Sequence, residues 1–133
     1  MNDDNGNIPR AVTSQAPSLP SFPSLPHHKL LAYGVARELV LAVVAARIRD
    51  AKLRDEALRA AKGAALNTAE GAGRVSPADK ARAFAIARGE TAEAAAAVEI
   101  AAACGDASPE AAAQVGRLAS RLYAMLTPLA RRR

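Results

Sequence analysis

Aromatic side chains make up 3% of these 133 residues, tryptophan is missing, and Cys104 is the single cysteine. One cysteine excludes an internal disulfide and suits a reducing compartment. Scarce aromatics leave no row of stacking platforms for single-stranded bases, so Tyr33, Phe84 and Tyr123 read as packing residues. The most apolar run, Leu39–Ala46, is far too short to span a bilayer. The N-terminus lacks a basic segment followed by an apolar one, so it does not read as a secretory signal. The cytoplasm is the expected location. The phosphate-binding pattern Gly-x-x-x-x-Gly-Lys is lacking, and so are the Glu-x-x-His pairs of carboxylate-bridged bundle enzymes. A non-enzymatic protein without a cofactor or metal is expected.

What is present is alanine. Half the chain is apolar, and much of that half is the residue that favours helix most and buries least surface. The composition predicts a single all-helical domain with a thin, closely packed core. A thin core stabilises a small monomer poorly, so subunit packing is expected to add to it. Formal net charge is +5. Residues 1–28 carry only Asp3, Asp4 and Arg10 as charged side chains, so the positive excess lies in the remainder. A basic balance suits nucleic acid.

Residues 1–28 read as a Pro/Ser-rich disordered arm. Ser18–Pro26 repeats a Ser–apolar–Pro unit, which forbids helix and favours an extended chain. Leu19, Phe22 and Leu25 recur at every third position, as a docking peptide for a protein partner would have them, although a plain disordered arm is the commoner fate of such composition. His27 and His28 read as exposed residues at a flexible junction. Residues 29–130 carry four helical patterns. The first spans about Lys29 to Arg49, with Ala32, Val35, Ala36, Leu39, Val43 and Ala46 on one stripe. Leu31, Leu41 and Val44 lie off it, a second hint of subunit packing. Asp50 is a fitting N-cap for a second helix from about Lys52 to Glu70. Gly63 in its interior predicts a close helix crossing, and Gly71 a left-handed C-cap. Ser76–Pro77 opens the third helix, which runs to Cys104, read as a small buried residue, and closes at Gly105. Ser108–Pro109 opens the fourth in the same way, and Pro128 ends or kinks it. Short links predict an antiparallel up-down four-helix bundle. Residues 131–133 form a basic tail.

The least alanine-like stretch is Asn67–Arg74. Together with Tyr33–Leu39, Ser76, Asp79–Lys80, Phe84, Ala87–Glu90 and Met125–Leu126, it resembles the four-helix-bundle proteins encoded by intervening sequences in bacterial 23S ribosomal RNA genes. The family pattern Asn-Ile-Ala-Glu-Gly-x-Gly-Arg is met at Asn67, Ala69, Glu70, Gly71, Gly73 and Arg74, with Thr68 in place of isoleucine. Gly89 and Glu93 fit a second family segment, in which Glu90 stands where serine is usual. The resemblance covers about Leu30 to Leu129. It implies a ring-like homo-oligomer, a pentamer, as in the related accessory proteins of diversity-generating retroelements. Those relatives bind nucleic acid and a reverse transcriptase through a basic surface.

Two sets of residues carry the functional expectation. The basic set is Arg47, Arg49, Lys52, Arg54, Arg59, Lys62, Arg74, Lys80 and the tail Arg131, Arg132 and Arg133, with Arg82 beside them. It reads either as a solvated exterior or as a phosphate-binding patch for RNA or DNA, and the resemblance tips it toward binding. The motif set is Asn67, Glu70, Gly71, Gly73, Arg74, Gly89 and Glu93, and its reading is mostly structural. Helix ends need glycines, and carboxylates pair with arginines. Arg74 with Lys80 at the start of the third helix remains an alternative anion site. The rival function is a structural or protein-interaction scaffold in which the charge serves solubility.

Overall fold

A computed structural model describes residues 24–131. The expectations for the rest of the arm and for Arg132 and Arg133 lie outside the described residues. A 3-10 turn, Pro26–Lys29, leads into α1 (Leu31–Ala45), α2 (Ala51–Gly73), α3 (Pro77–Ala103) and α4 (Pro109–Leu129). Each helix packs against its neighbours in sequence, and α4 closes on α1, which makes an antiparallel up-down four-helix bundle. No described helix is long and apolar enough to cross a membrane.

Three of the four helix starts follow from side-chain capping. Asp50 Oδ2 accepts from Leu53 N at 2.9 Å, Ser76 Oγ from Asp79 N at 3.1 Å, and Ser108 Oγ from Ala111 N at 3.0 Å. Each bond satisfies a backbone donor that the first helical turn leaves without an acceptor. The histidine junction is more ordered than its composition suggests. His28 Nδ1 accepts from Leu25 N at 3.0 Å, and the His27 ring packs edge-on against Tyr33 with centroids 4.6 Å apart. Both histidines are half-buried.

The core is built from small residues where α2 meets α3 and from larger ones elsewhere. Ala57, Ala60, Ala61 and Ala64 of α2 are fully buried, as are Ala87, Ala94 and Ala101 of α3. Side chains this small let two backbones approach closely, which explains why α2–α3 is the most extensive contact in the bundle. Leu39, Ile48, Val98, Val115, Leu122 and Leu126 supply the bulk. Thr68 and Thr91 are buried polar residues, and each hydroxyl donates to the carbonyl one turn back, at 2.7 Å to Ala64 O and 2.8 Å to Ala87 O. That bond lets threonine occupy the position where the family has isoleucine, without an unsatisfied hydroxyl.

Several expectations are corrected. Gly71 is not a left-handed cap: it lies inside α2, which continues to Gly73. Its role is steric, because a Cβ there would come within 2.7 Å of the Phe84 ring. Gly63 is approached by the side chain of Glu90 on α3, which would meet a Cβ there. α1 stops at Ala45, short of Arg49, because Arg47 takes a left-handed conformation (φ 47°). Cys104 is exposed, since it caps α3 at the end of the bundle instead of lying on its inner face. Pro128 sits in the last turn of α4, and the helix runs one residue past it.

Candidate nucleic-acid interface

Two loops meet at one end of the bundle, one joining α1 to α2 and the other joining α3 to α4. Each leaves its helix through a residue of positive φ. At the second, Gly105 adopts φ 81°, Gly105 N donates to Ala102 O at 3.1 Å, and Asp106 N to Ala101 O at 2.7 Å. This is a Schellman ending, for which glycine is the usual left-handed residue. At the first, the corresponding position is Arg47, whose N–H donates to Val44 O at 3.3 Å, followed by buried Ile48. A left-handed arginine is disfavoured by roughly 1–2 kcal/mol relative to a right-handed one, a penalty glycine escapes. We expect Arg47→Gly to stabilise the fold by about 1 kcal/mol in chemical denaturation, after allowance for the greater chain entropy of glycine. An unchanged or lower stability would mean that the Arg47 stem packs well enough to offset its backbone.

The two loops are tied together by Arg49. Its N–H donates to Asp106 O at 2.9 Å, and its guanidinium donates to Gly105 O. Asp106 Oδ1 lies 4.0 Å from Arg49 Nε. Arg54 Nη1 donates to Ile48 O at 3.2 Å and holds the loop from the α2 side. Arg47, Arg49, Lys52 and Arg54 are all exposed at this end. Of the carboxylates adjoining these residues in sequence, Asp50 is engaged in capping α2, and Asp55 follows Arg54 as an exposed acid. Arg47, Arg49 and Arg54 rim a groove of ≈ 520 Å³ whose floor is Val43, Val44, Ile48 and Leu58. On the other side, Arg47 and Arg49 also rim a second groove of ≈ 490 Å³ that reaches Ser108 and Ala111.

The remaining basic residues are elsewhere and differently occupied. Arg59 faces three carboxylates: Glu56 at 2.8 Å on its own helix, Glu90 at 3.4 Å and Glu93 on α3. It locks α2 to α3 and is surrounded by negative charge. Its hydrogen bond is the largest of the influences that hold the Glu56 carboxyl below its ordinary value. That contribution to stability is present above the unfolded-state value and is lost as pH falls through the lowered one. Lys62 is exposed midway along α2 and forms no ion pair with a described residue.

Arg74, Lys80 and Arg131 are at the opposite end from Arg47. Arg74 Nε donates to Glu70 Oε2 at 3.1 Å. Lys80 Nζ donates to Ala72 O at 3.0 Å and Gly71 O at 3.3 Å, which caps the C-terminal carbonyls of α2. The small recess there, ≈ 120 Å³, has Glu70 and Asp79 beside Arg74 and Arg82, so its charges largely cancel. Asn67 Nδ2 donates to Gly63 O at 2.9 Å and to Glu90 Oε1 at 3.3 Å. The structural reading of Asn67, Glu70, Gly71, Arg74 and Glu93 therefore accounts for their contacts. Gly73 and Gly89 are open to solvent, with nothing near enough to exclude a side chain. Arg88 was not singled out as a functional residue. It donates to Thr127 Oγ1 at 2.9 Å and lies over the Tyr123 ring at 4.1 Å, tying α3 to α4.

Comparison with known proteins gives one family: the sequence profile of the 23S rRNA-intervening sequence proteins matches residues 28–128. A search of curated proteins finds no match.

Proposed function

The chain belongs to the 23S rRNA-intervening sequence protein family, and from that premise we propose that it is a non-enzymatic cytoplasmic accessory protein that binds the RNA or DNA backbone. The observation that carries this reading is the cluster of Arg47, Arg49, Lys52 and Arg54 at one end of the bundle, with Arg47 held where its sister loop has glycine. Exposed guanidinium groups suit phosphate oxygens bidentately. With so few aromatics there is little to read bases, so the binding is to backbone and shape.

The same proposal includes self-association into a homo-oligomer, a pentamer, that repeats the basic corner around a ring. Its support is apolar surface that a monomer leaves in water: Leu66 of α2 is 70% exposed, and Ile86 and Ile100 of α3 are 43% and 51% exposed. The same surface favours a second reading, a protein-interaction scaffold without a nucleic-acid role. Titration against structured RNA and against duplex DNA separates the two. With about four phosphates engaged, affinity falls on the order of 10²-fold between about 50 and about 200 mM salt. No binding at the lower salt overturns the nucleic-acid reading and leaves the scaffold. Light scattering on the same sample reads the oligomer, and a monomeric mass removes that part of the proposal.

A further inference from the structure

The groove beside the basic corner is apolar at its floor and cationic at its rim. It is lined by the apolar Val43, Val44, Ile48 and Leu58 and by the cationic Arg47, Arg49 and Arg54. It opens onto the outward face of α1, where Leu31 is 79%, Leu41 41% and Val44 53% exposed and Glu38 is the only exposed acid. Nothing among the described residues covers this face. A strip of aliphatic side chains ending in a cationic rim fits an extended segment with apolar residues followed by acidic ones.

The chain itself carries such a segment. Residues 1–23 precede Ser24, which lies just before the turn that leads into the N-terminus of α1. The groove lies at the C-terminus of the same helix, about 22 Å away at 1.5 Å per residue for 15 residues. Pro17, Pro20, Pro23 and Pro26 recur at every third position, with Leu19, Phe22 and Leu25 in the same period. That spacing favours a polyproline conformation, in which every third residue falls on one ridge and each residue advances about 3.1 Å. Seven or so residues in that conformation cover the length of α1, which brings the chain before Pro17 to the groove. Residues 1–16 remain at that end, long enough to turn back onto the rim, and contain the only acids of the segment, Asp3 and Asp4, together with one cation, Arg10.

We propose that residues 1–23 of each chain dock along the outward face of its own α1, with Leu19 and Phe22 on Leu31, Leu41 and Val44, and with Asp3 and Asp4 at the rim formed by Arg47, Arg49 and Arg54. The inference stands without the nucleic-acid reading, since it concerns only what covers this face.

The protein carries its own reporter. Cys104 is exposed, is the only cysteine, and adjoins Gly105 and Asp106, to which Arg49 is bonded. A nitroxide on Cys104 of the ¹⁵N-labelled full chain should strongly broaden the amide signals of Asn2–Asn7, compared with the same sample after reduction of the label. The broadening should be largely lost in Asp3→Lys/Asp4→Lys and in Leu19→Ser/Phe22→Ser, both of which leave every residue of the helices themselves unchanged. Asn2–Asn7 signals as strong as in the reduced sample would overturn the proposal. So would equal broadening when ¹⁵N chain without nitroxide is mixed with nitroxide-bearing chain without ¹⁵N, because the segment would then lie on a neighbouring copy.

Discussion

Phe84→Ala is expected to destabilise the bundle by about 3–5 kcal/mol, the range for removing a buried aromatic side chain. For a domain of this size that corresponds to a fall in Tm of roughly 15 °C or more. The reason is the thinness of the core. Phe84 is the only aromatic side chain that is buried among the described residues, and the core cluster it belongs to consists mostly of alanines, which cannot expand into a cavity. Gly71 makes room for the ring, since a Cβ there would meet Phe84 Cε1 at 2.7 Å. Gly71→Ala should therefore also destabilise, by about 1–3 kcal/mol through overpacking. The two changes are coupled. In the pair Gly71→Ala/Phe84→Leu the smaller, more flexible side chain can yield to the new methyl, so the combined loss should be less than the sum of the single losses. Thermal unfolding followed by circular dichroism at one fixed protein concentration measures the native chain, Phe84→Ala, Gly71→Ala, Phe84→Leu and the pair, concentration being held because self-association shifts apparent stability. Strict additivity would mean that Gly71 and Phe84 do not act as a pair.

The second large effect is on binding. Neutralising Arg47, Arg49, Lys52 and Arg54 together to glutamine is expected to weaken RNA binding on the order of 10²-fold at low salt, as about four phosphate contacts are lost. Arg59→Gln is the comparison. It removes a cation of the same kind, but one already facing Glu56, Glu90 and Glu93, so its expected effect on affinity is about twofold or less. Arg49 and Arg54 also donate to loop carbonyls. Circular dichroism of the quadruple variant therefore accompanies the titration, and retained helix content assigns the loss to charge. A loss per removed cation as large in Arg59→Gln as in the quadruple variant would mean that total charge governs binding and that the corner has no special part.

Local chemistry was legible in the sequence, and chemistry between helices was not. Asp50, Ser76 and Ser108 cap the helices they were expected to cap, because a cap joins a side chain to a backbone group three residues on and needs no knowledge of the rest of the fold. The stripe read in the first helix is buried as its periodicity implied, with Ala32, Val35, Ala36, Leu39, Val43 and Ala46 all in the core. Gly71 was misread because the same glycine serves equally well as a helix cap or as a notch, and only the register of α3 brings Phe84 against it. Cys104 was misread because a small sulfur residue at a helix end is apolar enough to be buried, and its place at the exposed end depends on Gly105 turning the chain there. Arg47 gave no sign of its left-handed backbone, a position where glycine would have been expected. The one hint was the apolar Ile48 directly after it, which is the usual companion of such an ending. The basic residues could be counted in the sequence, but their sorting could not. That Arg59 is neutralised and that Lys80, like Arg49 and Arg54, donates to carbonyls follow from how the helices and loops meet, whereas Arg47, Arg49, Lys52 and Arg54 share one exposed end because they lie within residues 47–54 of the sequence.

The central claim is that this end of the bundle engages phosphate, and the slope of log affinity against log salt for structured RNA tests it most directly. The native chain should give a slope of about −3 to −4 and the Arg47→Gln/Arg49→Gln/Lys52→Gln/Arg54→Gln variant a slope near zero, in keeping with about 0.9 per phosphate contact. Identical slopes for the two chains would contradict the account.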